Sequence, residues 1–248
     1  MPLAVAAAPV LLPQARRVRR RIPRLPEAAG PRSGHATPET GDDAAPLSLL
    51  VLGESTAVGV GAATQEEALA AHLARALAQR SGRGVTWTAV GRSGATARAV
   101  LEDLVPPLDG VHDAAVVVLG VNDTLTLTTP GSWRATVERV IDALTPHLTP
   151  GGPVVLAGLP AVGRFTALPQ PLRTVLGRHA AALDDTLAAL ADARAGVLHS
   201  RTPVLGSGPM QANDRFHPSA RGYELWGAHL AREIIEEGTV LRPARDLV

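Results

Sequence analysis

The chain contains no cysteine. That excludes disulfides, thiolate nucleophiles, cysteine-ligated zinc and iron–sulfur clusters. Lysine is absent too, because all 24 basic residues are arginine. Without lysine there is no Walker-type phosphate loop and no side-chain amine for Schiff-base chemistry, pyridoxal phosphate included. Aromatic residues make up only 2% of the 248 positions, so the core must be packed from Ala, Leu and Val. Hydrophobic residues at 46% supply enough of them. Asparagine occurs only at Asn122 and Asn213. No His/Asp cluster has the spacing of metal ligands, and neither a metal nor a cofactor is expected.

The length fits one domain of the larger kind. Formal net charge is +1, unevenly placed. Residues 1–45 hold seven Arg and four acidic residues, and the remainder holds 17 Arg and 19 acidic residues. A near-neutral body argues against nucleic acid as a partner. We therefore separate an Arg-rich extension and linker, residues 1–45, from a regular body, residues 46–248. Leu3–Leu12 is an apolar run of ten residues, short of the ~20 that span a bilayer. A secretory signal carries positive charge before its apolar run. Here Arg16, Arg17, Arg19, Arg20, Arg21 and Arg24 follow it. The expectation is a cytoplasmic protein whose extension packs along the body, or whose arginines touch an anionic membrane surface. Residues 26–46 (PEAAGPRSGHATPETGDDAAP) read as a linker or an irregular wrap.

From residue 47 the pattern becomes regular. Apolar runs predict strands at Leu47–Leu52, Val85–Val90, Ala114–Leu119, Val154–Ala157 and Val197–Leu198. Helical spacing predicts helices over 65–79, 96–104, 132–144 (capped by Ser132), 172–194 and 219–237. Alternating strands and helices imply βαβ units and a mostly parallel sheet. The expected fold is a three-layer α/β/α sandwich with a five-stranded sheet. In such folds ligands bind beyond the carboxyl ends of the strands.

Those strand ends carry four segments: Gly53-Glu54-Ser55-Thr56, Gly91-Arg92-Ser93-Gly94, Gly120-Val121-Asn122-Asp123 and, before the last helix, Asp214-Arg215-Phe216-His217-Pro218. They supply a hydroxyl, a backbone donor left uncovered by glycine, an amide side chain and a carboxylate–imidazole pair. These are the parts of a serine acyl-transfer site. Serine needs a base, histidine suits that role, and a carboxylate orients the imidazole. Ser55, His217 and Asp214 are the candidate catalytic residues. The Ser55 N–H, the Gly94 N–H and the Asn122 amide are the candidate oxyanion donors.

The four segments, in this order, resemble the conserved blocks of the SGNH hydrolases, or GDSL-type esterases and lipases. The resemblance runs across residues 47–237. It implies a Ser55 nucleophile, oxyanion donors at Ser55, Gly94 and Asn122, and catalytic Asp214 and His217. The tail from His217 to Tyr223 resembles the family's ending. Two departures stand out. Glu54 occupies the position of the family's Asp, and Val90-Gly91-Arg92 lacks the Asn that usually precedes the second block's Gly.

Each residue also has a plain structural reading. Ser55 and Thr56 suit a helix cap, Gly94 a turn, and Asn122 an Asx turn. His199 has no carboxylate nearby in sequence and is read as structural. Asp123 is read as a group that tunes the site by hydrogen bonds. Two loops leave strand ends toward the site, residues 124–131 and 159–171. Their Leu125, Leu127, Val162, Phe165 and Leu168 suggest an apolar acyl pocket for short to medium chains. Arg92, Leu125 and Phe165 are the candidate substrate contacts. The favoured activity is hydrolysis of small carboxylic esters through an acyl-enzyme. The alternatives are a carbohydrate O-deacetylase on the same fold and a non-catalytic, phosphate-binding flavodoxin-like module.

Overall fold

A computed structural model describes residues 8–21, 23–40, 44–204 and 208–237. Helix α1 (Ala8–Arg21) comes first, then strand β1 (Ser33–Ala36). Strand β2 (Leu47–Gly53), helix α2 (Leu69–Ser81) and strand β3 (Val85–Gly91) follow. A short helix α3 (Ala97–Ala99) runs on into a π-helical turn, Val100–Leu104. Next come β4 (Ala114–Val118), α4 (Val121–Leu125), α5 (Pro130–Leu144) and β5 (Val154–Ala157). Helix α6 (Leu172–Ala193), strand β6 (Val197–Ser200) and helix α7 (Ala220–Glu237) complete the chain.

The sheet order is β1-β3-β2-β4-β5-β6. Strands β2 to β6 pair in parallel, and β1 pairs antiparallel with β3. Neighbouring residues of the strands point to opposite faces, so an apolar run fills two cores at once. Leu50, Leu52, Ala115 and Val117 belong to the core covered by α5 and α6. Leu49, Val51, Val116 and Val118 belong to the core under α2 and α7. The result is the expected three-layer α/β/α sandwich with a mostly parallel sheet. Strand β2 sits where the order reverses, with β3 on one side and β4 on the other. That reversal opens the crevice in which such folds bind ligands.

Several elements differ from the sequence reading; the helix read over 65–79 starts only at Leu69 after a 3₁₀ turn, that over 96–104 is α-helical only at Ala97–Ala99, and three further differences bear on the fold. The sheet has six strands rather than five, because Ser33–Ala36 forms an edge strand inside the stretch read as linker. Its Ser-Gly-His-Ala sequence carries no strand signal; the unpaired edge of β3 imposes the conformation. Helix α5 begins at Pro130 with Thr129 as its cap, whose hydroxyl accepts the Ser132 N–H at 3.3 Å. Proline is preorganised for that first helical position, which sets the start two residues earlier than Ser132. Helix α4, in the third segment, was not foreseen.

Helix α1 packs on the body, as expected of the extension. Gln14 Nε2 donates to Gln170 O at 2.7 Å, and the Leu172 N–H donates to Gln14 Oε1 at 3.2 Å. Leu11 and Val18 pack against the α5/α6 core. Residues 3–7 of the apolar run lie outside the described residues. Among the described residues, no helix is long and apolar enough to cross a membrane.

Helix α7 packs through Trp226, Leu230 and Ile234 into the core it shares with α2, and one buried bond ties its first turn to the segment after β2. The Tyr223 hydroxyl donates to Val60 O at 2.7 Å. Burial holds this hydroxyl protonated well above the ordinary tyrosine range. Tyr223→Phe should leave the Val60 carbonyl unsatisfied and cost about 1–3 kcal/mol. The expected outcome is a thermal midpoint lowered by several degrees in calorimetry, with the fold retained.

Candidate active site

Strand β2 ends at Gly53, which lies against Val118 of the neighbouring strand β4. A Cβ there would sit 2.0 Å from Val118 O, so no other residue fits. The Glu54 N–H continues the contact by donating to Val118 O at 3.1 Å. The chain then turns sharply, with Ala57 N–H donating to Glu54 O at 3.0 Å and Val60 N–H to Ser55 O at 3.0 Å. No helix begins here, so Ser55 is not a helix cap. Its side chain is presented at the strand end and is 8% exposed.

The imidazole arrives from the turn before α7. Arg215 adopts a left-handed conformation (φ +55°), which folds the turn tightly. Asp214 Oδ1 accepts the backbone N–H groups of Phe216 at 2.9 Å and His217 at 3.0 Å. Asp214 Oδ2 lies 2.6 Å from His217 Nδ1. Burial pushes the Asp214 carboxyl up, but these hydrogen bonds outweigh it and hold it below the ordinary carboxylate value. An ionised Asp214 fixes the proton of His217 on Nδ1, leaving Nε2 as the acceptor. His217 Nε2 lies 2.9 Å from Ser55 Oγ. The approach depends on Gly61 (φ +104°), where a Cβ would meet Pro218 O at 2.2 Å. Phe216 packs edge-on against the His217 ring at 5.3 Å, and Phe165 against Phe216 at 5.0 Å. Ser55, His217 and Asp214 are thus brought together.

The candidate oxyanion donors divide. Among the described residues, neither the Ser55 nor the Gly94 backbone N–H has a protein acceptor. Gly94 lies in an exposed loop in the left-handed region (φ +83°), with open space around it. Asn122 is placed differently. Its amide donates to Glu54 Oε2 at 2.6 Å and to Ala95 O at 3.1 Å, so both hydrogens are already engaged. Glu54 also accepts the backbone N–H groups of Val121 and Asn122, each at 3.1 Å. The extra methylene relative to Asp carries this carboxylate to the start of α4. Burial pushes Glu54 up to about 7, against the hydrogen bonds from Asn122 and Val121 and with help from the Asp123 charge.

A cleft of about 300 Å³ opens beside Ser55 and His217. Val118, Leu119, Pro160, Phe165, Val204 and Trp226 form its apolar walls. Phe165 is placed as expected. Arg92 is not: its guanidinium pairs with Asp103 at 2.7 Å, away from the cleft. Leu125 also fails, being 43% exposed and outside the cleft lining, because α4 turns its side chain to solvent. Asp123 accepts the Ala97 N–H at 2.9 Å and the Thr128 hydroxyl at 3.2 Å, tying α3 to α4. Two contacts beside the cleft join residues far apart in the sequence. His199 has a carboxylate after all, Asp184 at 3.0 Å, which also accepts the Leu159 N–H at 2.8 Å and so fixes the cleft wall. The partner lies on α6, 15 residues before His199, and only the packing of α6 on the sheet brings it there. The second is that of Thr202 in the cleft lining, which bonds to Gly158 O.

The buried Glu54 generates a pH dependence of stability. Its folded value of about 7 lies above the ordinary 4.5. Between those limits the folded chain keeps a proton that the unfolded chain has released. Stability from this group therefore falls as pH rises from about 4.5 to about 7. Urea midpoints measured across that window should decline with pH in the wild type relative to Glu54→Gln. Parallel curves for the two proteins would remove Glu54 as the source.

A family model described as the GDSL-like lipase/acylhydrolase family matches residues 51–225. GDSL-like esterase Rv1075c of Mycobacterium tuberculosis is 33% identical over 187 residues, which cover 72% of this chain and 59% of that relative. The chain thus spans 59% of the length of that curated relative. The fold is similar to the solved structure of TesA, at 20% identity and TM-score 0.60 over 75% of this chain and 97% of the other. It is also similar to a family 3 carbohydrate esterase from Clostridium thermocellum, at 15% identity and TM-score 0.57 over 77% and 96% of the two chains. The family match begins in β2, takes in Ser55, Gly94, Asn122, Asp214 and His217, and ends in α7, and the chain belongs to the GDSL-like lipase/acylhydrolase family.

Proposed function

We propose that the chain is a serine esterase that hydrolyses small carboxylic esters through an acyl-enzyme. The observation that carries this reading is the line of contacts Ser55 Oγ–His217 Nε2 (2.9 Å) and His217 Nδ1–Asp214 Oδ2 (2.6 Å) at the mouth of an apolar cleft. In this mechanism His217 takes the Ser55 proton as Oγ attacks the ester carbonyl. The Ser55 and Gly94 N–H groups receive the oxyanion, and Asn122 joins them by releasing Ala95 O. His217 then passes the proton to the departing alcohol. Water, activated by the same imidazole, cleaves the acyl-enzyme.

The cleft supports an acyl chain of short to medium length. Its volume is at the small end of ligand pockets, and its walls are mainly aliphatic and aromatic. A carbohydrate O-deacetylase is the second reading, favoured by the shared fold with the carbohydrate esterase. Only six aromatic residues are available in the whole chain, which leaves little for stacking sugars. Ser55→Ala should abolish labelling by a fluorophosphonate probe and lower kcat by a factor on the order of 10⁶. With p-nitrophenyl esters of rising chain length, kcat/KM should climb and then fall once the acyl group outgrows the cleft. A flat profile, with rapid acetate release from acetylated sugars, would favour the deacetylase.

Contact with an anionic membrane surface is a further part of this proposal. Arg16, Arg17, Arg20 and Arg21 are exposed on α1, and their spacing places them on one flank of the helix. Among the described residues, no carboxylate pairs with them. Near an anionic bilayer each contributes ~1 kcal/mol. The protein should co-sediment with phosphatidylglycerol vesicles and not with phosphatidylcholine vesicles. Replacing the four together (Arg16→Gln, Arg17→Gln, Arg20→Gln and Arg21→Gln) should abolish that binding, with turnover of a soluble ester retained. Equal binding by the wild type to both vesicle types would refute the contact.

A further inference from the structure

The stretch before β1 lies outside both the sequence resemblance and the family match, yet it grips the candidate oxyanion loop. Glu27 Oε1 accepts the Ser93 N–H at 2.9 Å. Ser93 is the residue immediately before Gly94. Arg32 pairs with the other carboxylate oxygen of Glu27 and donates to Gly91 O at 3.1 Å. One ion pair thus holds the end of β3 and the start of the loop together. The segment is itself anchored. Ala28 N–H donates to Val58 O at 3.1 Å, Ala29 N–H to Ala63 O at 3.0 Å, and Gln65 N–H to Ala29 O at 2.8 Å. The buried Gln65 amide bonds to Ala28 O at 3.0 Å and to Val58 O at 3.1 Å. Val58 belongs to the turn that presents Ser55. The same short strap therefore spans the nucleophile turn and the oxyanion loop.

We propose that Glu27 is a positioning residue for the oxyanion hole: it fixes the Arg92–Thr96 loop so that the Gly94 N–H is held for the reacting carbonyl. The inference rests on the acyl-transfer reading. Three features of the site call for such a brace. Arg92, Ser93 and Gly94 are exposed; beyond the Arg92 N–H on Gly53 O (3.3 Å), the Arg92–Asp103 pair and the Asn122 bond to Ala95 O, the described residues give the loop one turn bond, Ala95 N–H to Arg92 O at 3.1 Å. Gly94 lacks a side chain and has nothing within 4 Å of its Cβ direction to hold it. The Asn found before the second block's Gly in the resembling family is missing, with Val90-Gly91-Arg92 in its place. Donors to an oxyanion act only when preorganised, and misplacement by about 1 Å costs on the order of 100-fold. Glu27 removes the neighbouring Ser93 N–H from competition and leaves that of Gly94 uncommitted. A bare carboxylate beside a developing oxyanion would oppose it. Arg32 offsets that charge.

The test compares wild type, Glu27→Gln, Glu27→Ala and Ser55→Ala, with a p-nitrophenyl ester and a fluorophosphonate probe. Glu27→Gln is isosteric and keeps the fold if Glu27→Ala does not. Both Glu27 variants should lose roughly 10- to 100-fold in kcat, with KM little changed and labelling slowed in proportion. Adding Glu27→Ala to Gly94→Ala should cost little more than Gly94→Ala alone, because both act through one loop. Amide hydrogen exchange at Ser93 should quicken in Glu27→Gln. Wild-type kcat in Glu27→Gln, or a full additive loss in the double variant, would overturn the proposal. So would Ser93 exchange as fast in the wild type as in the variant, a readout that holds whether or not the ester substrate is correct. Wild-type turnover equal to that of Ser55→Ala would instead defeat the acyl-transfer reading.

Discussion

The carboxylate of Asp214 is the anchor of the site. It is 4% exposed, yet three donors from its own turn and from His217 keep it ionised against the cost of burial. An ionised acceptor at that point settles which ring nitrogen of His217 carries the proton. The other nitrogen then faces Ser55, 162 positions earlier in the chain. The surrounding scaffold brings that serine within reach. Gly53 lets β2 end against Val118, Gly61 admits Pro218, and Tyr223 holds α7 against the turn that follows Ser55. Each is a close approach that a larger or less polar residue would block or leave unsatisfied.

Glu54 shows how differently a second buried carboxylate behaves a residue away from Ser55. It is 2% exposed and also accepts three N–H groups, but burial outweighs them, and its proton is held to about pH 7. Burial is the largest influence on both acids; at Asp214 the hydrogen bonds from His217 and Phe216 outweigh it, and at Glu54 those from Asn122 and Val121 do not. Asp214 faces the His217 imidazole, whereas Glu54 faces the Asn122 amide and lies near the carboxylate of Asp123. By occupying the Asn122 amide, Glu54 makes the donors of Ser55 and Gly94 the ones open at rest.

The central parts of the site were legible because they are local. Asp214 and His217 are three residues apart, and the glycine-bearing segments sit at strand ends that apolar runs already mark. The same runs revealed the alternating βα order and hence the parallel sheet. What could not be read depends on distance in the chain. Strand β1 has no propensity of its own and takes its form from the edge of β3. Glu27 meets Ser93 across 66 positions, and Asp184 meets His199 only through the packing of α6. Arg92 and Leu125 were placed correctly beside the strand ends, but side-chain direction decided against them. One is drawn off by Asp103, and the other is turned to water by a five-residue helix that the composition of the segment did not announce.

The antiparallel strand at the margin of the sheet has a consequence for the solubility of the protein. Without it, β3 would offer a row of free amide and carbonyl groups beside the indole of Trp87, a template onto which strands of other molecules add. Ser33–Ala36 satisfies that row from within the chain, and its Gly34 lies across from Trp87 with no side chain to displace the ring. The outer margin of the sheet on that side is thereby a strand of only four residues, a short edge that offers little length for pairing with another molecule.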